Sequence, residues 1–376
     1  MITVAHLVSP YLFRTGSWIH TQLIHAQGSR PVVLTEKLER PETFPFEPLV
    51  LVTRDLGPLA SLRNRALYLL GRHDPALYLH HLEREGAGLI HAHLGWEGVR
   101  ALPVARAARL PMVTTFYGVD AGRLPRYPWW RHRYRRLFAE GSAFVVEGPH
   151  LGRTLERHGC PHEKLHVHHL GIDLSRIPFA ERRRPGAGDV EVLVSSSLRP
   201  KKGVAAAVAA FATLAADHPR ARMRILGDGP CRPEVEAAIA RHGLAARVTI
   251  EGYVDYTTHL EALSRAHLFL APSRTAPDGD TEGGAPVALI EAQASGLPIV
   301  STTHADIPEL VQDGVSGLLS PEFDDNALAH NLRALLDAPE RWPEMGRRGR
   351  ARMEREFDIR RQTASLSRLY GRVAGS

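Results

Sequence analysis

Residues 191–229 read EVLVSSSLRPKKGVAAAVAAFATLAADHPRARMRILGDG. A short β-rich run, EVLVSSS, gives way at a glycine to an alanine-rich stretch with helical character. A second β-rich run, ARMRIL, then ends in another glycine turn. Strand, helix, strand is a crossover unit, and such a connection joins parallel strands. The same alternation extends in both directions. Upstream, the strand candidates are ITVAHLV, PVVLT, GLIHAHL, PMVTTFY, SAFVV and KLHVHHL, with helical patterns such as WIHTQLIHAQ and EGVRALPVARAARL between them. Downstream come VTIEGYV, AHLFLAPS, a helix from about Pro286, and LPIVSTT. The chain therefore predicts an α/β fold of doubly wound parallel sheets.

At 376 residues the length favours two domains. The segment IDLSRIPFAERRRPGAGDV is rich in proline, glycine and charge and has no clean period, so residues 173–188 read as a linker. The expected organisation is a first Rossmann-like domain over 1–172, a second over 189–356, and a final helical segment, 357–376, placed to pack back on the first. Two such domains of similar size would face each other across a cleft. In sheets of this kind, ligands bind outside the carboxyl ends of the strands.

Composition removes several classes. Cys160 and Cys231 are far apart and form no CxxC, which argues against a disulfide framework or a cysteine zinc site and fits a reducing cytosol. The opening MITVAHLVSP reads as a buried strand, not a signal peptide. No apolar run approaches the roughly 18 residues of a spanning helix. The excess of 47 basic over 41 acidic residues, +6, suits nucleotides, phosphates, an anionic lipid surface or nucleic acid, and does not choose among them.

Chemistry concentrates where strands end. Residues 279–297, GDTEGGAPVALIEAQASGL, carry Glu282 and Glu291 around a loop that opens a helix. Gly283 and Gly284 let backbone approach a ligand, and Pro286 suits a first helical turn. The helix start favours phosphate or sugar oxygens. Glu291 can accept two hydrogen bonds from a vicinal diol, and Glu282 stands in the loop before it. Dipole decoration by two acids is the plain alternative. In SSSLRPKKGV, Arg199, Lys201 and Lys202 with Gly203 set cations beside a helix start, a fitting diphosphate clamp or a solvated basic turn. GDGP at Gly227–Pro230 is a third glycine turn, EGYV could place a base against Gly252 and Tyr253, and TGSW around Gly16 could form another phosphate-facing loop.

These pieces, LRPKKGV, RILGDGP, VTIEGYV, the Glu282-to-Glu291 stretch, ASGLPIVST and IPELVQDGVSGLLS, resemble in type and order the retaining glycosyltransferases of family 4, the group 1 transferases with the GT-B fold. HAHLGW and TTFYGVD extend the resemblance more loosely into the first half. The resemblance implies two Rossmann-like domains, with the nucleotide-sugar donor held mainly by the second. The first would hold the acceptor, a sugar, a lipid-linked group or a small molecule. It implies no obligatory metal and no cofactor beyond the co-substrate.

Carried over, the resemblance gives Lys202 and Arg199 to the diphosphate, Glu291 to the ribose diol and Glu282 to the donor sugar. Tyr117, His93 and Asp120 join the catalytic set. Gly16, Gly227, Tyr253, Val254, Ser273, Gly283, Gly284, Ala285, Pro286 and Val287 line the donor. The chain departs from the pattern in three places. One extra residue lies between the glutamates, at Gly283-Gly284-Ala285. Arg199 stands closer to the lysine than the family arginine, which falls near Ser196 or Ser197. Tyr117 replaces a histidine common in the family.

Two further features stand apart. His91 and His93 share one face of a strand, as do His166 and His168, but no third ligand at metal-site spacing accompanies either pair. The segment PRYPWWRHRYRRLF, 125–138, is basic and aromatic. It suits contact with an anionic membrane, guidance of an acceptor, or a helix with a solvated basic face and its aromatics packed inward. The rival functions are a sugar-nucleotide epimerase or phosphorylase of the same architecture, a transferase relic that only binds, and a basic nucleic-acid-binding protein. The last is suggested by charge alone, and no nucleic-acid partner is expected.

Overall fold

The computed structural model describes every residue except Arg14, Thr15, Ala285 and Ser376. The chain divides into two compact units, residues 1–171 with 359–376, and residues 172–358.

Unit 1 is built on a seven-stranded parallel sheet: β1 (Ile2–Leu7), β2 (Ser29–Thr35), β3 (Leu49–Leu51), β4 (Ala87–His93), β5 (Met112–Phe116), β6 (Ala143–Val146) and β7 (Leu165–Val167). Their spatial order is β3-β2-β1-β4-β5-β6-β7. The strands read as continuous apolar runs because both faces of the sheet are buried. Alternate residues serve opposite cores. Ala5, Leu7, Ile90, Ala92, Phe144 and Val146 face one layer of helices. Val4, Leu89, Val113, Ala143 and Val145 face Leu366, Leu369 and Tyr370 of the chain's last helix, Ile359–Ala374. That helix closes the second face of the first sheet although it follows the whole of unit 2 in sequence.

Unit 2 carries a six-stranded parallel sheet: β8 (Val190–Ser195), β9 (Ala221–Leu226), β10 (Val248–Gly252), β11 (Leu268–Ala271), β12 (Ile299–Thr302) and β13 (Gly317–Ser320), in the order β10-β9-β8-β11-β12-β13. The fold is thus α/β with two Rossmann-like parallel sheets. In each sheet the strand order reverses once, between β1 and β4 and between β8 and β11. Those reversals are where doubly wound sheets open a crevice for ligands.

The segment 173–188 lies against unit 2. The Arg182 guanidinium is buried and donates to the Ser264 (2.7 Å), Leu263 (3.0 Å) and Ser295 (2.9 Å) carbonyls. These are terminal carbonyls of the helices Tyr256–Arg265 and Val287–Ser295, so one cation caps two helix ends where a positive charge is favoured. Burial lowers its pKa to about 10. Arg182→Ala would leave buried carbonyls unpaired. It should destabilise unit 2 by about 3 kcal/mol, on the scale of lost charge-assisted hydrogen bonds. Exposed Arg183→Ala should change little. Equal melting temperatures for the two variants would refute this role.

Candidate functional site

At the unit 2 reversal, β8 and β11 each end in a loop that the sequence marked. After β8, residues 196–203 run through a short turn, Pro200–Lys202, into the helix Val204–Ala212. Gly203 makes the turn with φ 60°, and a Cβ there would stand 2.2 Å from the Pro272 carbonyl oxygen of the loop after β11. Any larger residue would push the two loops apart. Gly227 plays a similar part on the other side: a Cβ would lie 1.8 Å from the Ser196 carbonyl oxygen. The GDGP turn is thereby packed directly on the backbone of the lysine loop.

This close packing brings the two loops' charges together. Lys202 Nζ lies 2.7 Å from Glu282 Oε2, with both side chains largely buried. Ser273 Oγ donates to Glu282 Oε1 at 2.5 Å. The Glu282 backbone N–H donates to His304 Nε2 at 3.0 Å, and His304 Nδ1 meets Glu322 Oε1 at 2.8 Å. Lys201 Nζ donates to the Thr281 carbonyl (2.8 Å) and pairs with Asp280 (3.3 Å). Burial pushes the Glu282 carboxyl up, but the Lys202 and Lys201 charges and its hydrogen bonds outweigh burial and hold it below the ordinary glutamate value. Glu282 is therefore an anion at neutral pH, fixed beside two ammonium groups. Arg199 is exposed and makes no ion pair among the described residues.

Glu291 is the fifth residue of the helix Val287–Ser295 and is buried. Pro286 precedes that helix as its N-cap, one position earlier than a first-turn residue. Tyr256 donates to Glu291 Oε1 at 2.9 Å, and His259 Nε2 meets Oε2 at 2.9 Å. His259 Nδ1 in turn lies 3.1 Å from Ser195 Oγ, at the end of β8. Each carboxylate oxygen has a protein partner and retains a lone pair for a ligand hydroxyl. Tyr256 and His259 were not singled out in the sequence. Their signal was there: Asp255 caps a helix directly after EGYV, which places positions 256 and 259 one turn apart on one face. Gly283 and Gly284 are buried in the loop, Val254 and Val287 are partly buried, and Tyr253 is half exposed. Ala285 lies outside the described residues.

In unit 1 three of the expected residues have protein partners. Asp120 is buried. Its Oδ2 accepts from the Gly95 N–H (2.7 Å), and its Oδ1 accepts from the Tyr117 (3.1 Å) and Gly118 (2.9 Å) N–H groups. It ties the turn after β4 to the turn after β5. Tyr117, at the end of β5, is buried, and its hydroxyl lies 2.7 Å from His93 Nδ1. The phenol is held inside the sheet edge because the neighbouring strand offers it an imidazole.

The third residue is His93, and it bears on the metal question. His93 Nε2 lies 2.9 Å from His6 Nδ1, and His6, His91 and His93 present ring nitrogens within 4.8 Å of one another. A third imidazole therefore does accompany the pair on β4, supplied by β1. These rings fit a hydrogen-bonded chain better than a cation. His91 already engages Tyr370 (2.6 Å) and Thr115 (2.7 Å). Two nitrogens sharing a zinc ion at about 2.0–2.1 Å each would stand farther apart than His6 and His93 do. Burial keeps all three imidazoles neutral, His6 with a pKa of about 3. Gly16 caps the helix Ser17–Ile24, its N–H donating to the Phe13 carbonyl, while Thr15 before it lies outside the described residues.

Comparison with known proteins agrees with this geometry. The profile of "Glycosyl transferases group 1" matches residues 189–338, and that of "Glycosyltransferase Family 4" matches residues 21–176. WcaL of Escherichia coli K12, a glycosyltransferase assigned to colanic acid biosynthesis, is 36% identical over 282 residues, which cover 73% of this chain and 69% of WcaL. The amylovoran biosynthesis glycosyltransferase AmsK of Erwinia amylovora is 32% identical over 305 residues, covering 80% of this chain and 74% of AmsK. Among solved structures, HepE of Anabaena in complex with UDP superimposes with a TM-score of 0.77 at 18% identity, over 99% of this chain and 100% of HepE. That likeness shows the shared fold.

Proposed function

We propose, for a chain that belongs to the group 1 glycosyltransferases, that it transfers a sugar with retention of configuration from a nucleoside diphosphate sugar to a hydroxyl acceptor. The acceptor belongs to the building of a polysaccharide, another glycan or a glycolipid, and the chain works in the cytosol. The observation that carries this reading is the unit 2 reversal. There Lys202 and Lys201, Glu282 and Glu291 are drawn to the carboxyl ends of β8 and β11 by glycines that allow no side chain. The UDP in the HepE complex and the names of WcaL and AmsK support the donor class and the product class. The buried thiol of Cys160, pushed up to about 12, fits a protein that makes no use of disulfide chemistry.

In this reading Glu291 receives the ribose diol and Glu282 a hydroxyl of the donor sugar. Lys202, Lys201 and Arg199 provide the positive field for the diphosphate. As the glycosidic bond breaks, negative charge grows on the departing diphosphate, and fixed cations stabilise that charge more than the ground state. The acceptor oxygen attacks from the face the diphosphate leaves, and a diphosphate oxygen takes the acceptor proton. No separate protein base is required, which agrees with the enclosure of Asp120 and Tyr117. Binding energy from both substrates serves to align them.

A thermal-shift screen with UDP, GDP, ADP and TDP and their sugars tests the donor class. A ligand at about 100 times its dissociation constant stabilises by roughly 2.7 kcal/mol. Absence of a shift with every nucleotide would sink the reading. Glu291→Gln should weaken the free nucleoside diphosphate about tenfold, the scale of one charge-assisted hydrogen bond. Glu282→Gln should leave that affinity nearly intact and impair turnover. Identical behaviour of the two variants in both assays would refute the division of roles. A product anomer opposite to the donor's would refute retention.

A further inference from the structure

The helix Pro58–Leu69 in unit 1 contains no buried residue. Leu59, Leu62, Ala66 and Leu69, at positions i, i+3, i+7 and i+10, form one stripe. Leu59 is 86% exposed, Leu62 67% and Leu69 77%, and Leu70 beyond the helix end is 61% exposed. The opposite side is tied to the protein: Arg63 pairs with Asp74 and Asn64 reaches Glu36. The apolar stripe therefore faces solvent by construction, since the anchored side fixes the rotation of the helix.

A second element adjoins it. Arg133 of the helix Pro128–Glu140 donates to the Leu70 carbonyl at 3.2 Å and lies over the Trp129 and Trp130 rings. That helix packs inward through Tyr134, Leu137 and Phe138, and leaves Tyr127 and Trp129 about half exposed. From residue 121 to 139 the sequence has six arginines and no acid, and from 54 to 72 four arginines and one acid. Leucines on a helix that buries nothing, aromatics at its edge and a dense surround of arginine form an amphipathic surface suited to lie in a lipid interface.

We propose that the helix Pro58–Leu69, with the Tyr127–Trp129 corner, rests on an anionic bilayer. The leucine stripe enters the acyl boundary, the aromatic rings sit at headgroup level, and the arginines meet lipid phosphates. A second copy of the chain could also cover a leucine stripe. A two-fold contact, however, would set the same arginine-rich surroundings against each other. Charge complementarity favours the membrane.

Co-sedimentation of the full chain with vesicles tests this. The chain should pellet with phosphatidylcholine vesicles containing roughly one third phosphatidylglycerol, should bind pure phosphatidylcholine weakly, and should be released by salt. The triple variant Leu59→Ser/Leu62→Ser/Leu69→Ser should lose about tenfold or more of this partitioning, with its melting temperature unchanged because the three side chains are exposed. Arg131→Glu/Arg135→Glu should abolish the preference for the anionic vesicle. Failure of the unaltered chain to pellet, or equal binding by the triple variant, would overturn the proposal. So would a dimer in sedimentation velocity that the triple variant dissolves, which would assign the stripe to a second copy.

Discussion

Lys202→Ala is expected to lower donor turnover by about a hundredfold, which corresponds to roughly 2.7 kcal/mol of transition-state stabilisation. It should also destabilise unit 2, and the two effects can be separated. Glu282 sits beside Lys202 with a largely buried carboxylate. Removing the ammonium leaves that anion with Ser273 and the more distant Lys201 charge, and breaking such a pair costs about 3–5 kcal/mol. Glu282→Gln in the Lys202→Ala background removes the stranded charge. The double variant should therefore recover most of the lost stability while its turnover stays low. Glu282→Gln lowers turnover by itself, so that single variant is the control: a purely structural ion pair predicts that the double variant turns over as fast as Glu282→Gln alone. Denaturant melts and steady-state kinetics on the two single variants and the double variant form a complete cycle. Turnover in the double variant equal to that of Glu282→Gln alone would remove Lys202 from the donor site.

Much of this arrangement was legible before the structure. Every strand candidate in the sequence became a strand, because parallel strands covered on both faces are unbroken apolar runs. β3 and β13 were not among those candidates. Leu49–Leu51 is a three-residue, half-buried edge strand, and Gly317–Ser320 is scarcely longer, so neither gives a periodic signal. Glu282, Glu291 and Lys202 were visible because each follows a strand and is framed by glycine. Of their partners, Ser273 was named too, from the same loop as Glu282; the others were not. Tyr256, His259 and His304 come from other loops and helices, and only the order of strands in space brings them in. The same limit hid the third imidazole. Parallel pairing of β1 with β4 sets His6 against His91 across more than eighty residues of sequence. Asp120 and Tyr117 looked exposed to a ligand because a residue after a strand usually is. Local backbone N–H groups and a neighbouring histidine claimed them first.

Unit 1 should be most stable near pH 6.5 and lose stability on both sides, through two different sets of histidines. On the acid side, His6 is buried and neutral with a pKa of about 3. A folded pKa below the unfolded value of about 6.5 means the unfolded chain binds the extra proton, so stability falls as pH drops below 6.5. At pH 5 this single group costs about 2 kcal/mol, at 1.36 kcal/mol per pH unit. His91 and His93, also held down by burial and by neighbouring imidazoles, act in the same direction, whereas Asp120, raised by burial, opposes them. For a unit of this size 2 kcal/mol is a fall of roughly 4–8 °C in melting temperature. On the alkaline side the actor is His73. It is buried between Glu36 (2.6 Å) and Glu97 (2.8 Å). Burial lowers its pKa, but the Glu97 and Glu36 carboxylates outweigh burial and raise it to about 9. Its contribution, on the order of 3 kcal/mol, is fully present below pH 6.5 and disappears as pH rises through 9. His73→Gln should flatten only the alkaline limb. The imidazole resonances of His6, His91 and His93 should stay unshifted from pH 7.5 to 5 while calorimetric melting temperatures fall from pH 6.5 to 5. Melting temperatures that stay level over that interval would show that the folded protein takes up these protons as readily as the unfolded chain, and the buried imidazole chain would be wrong.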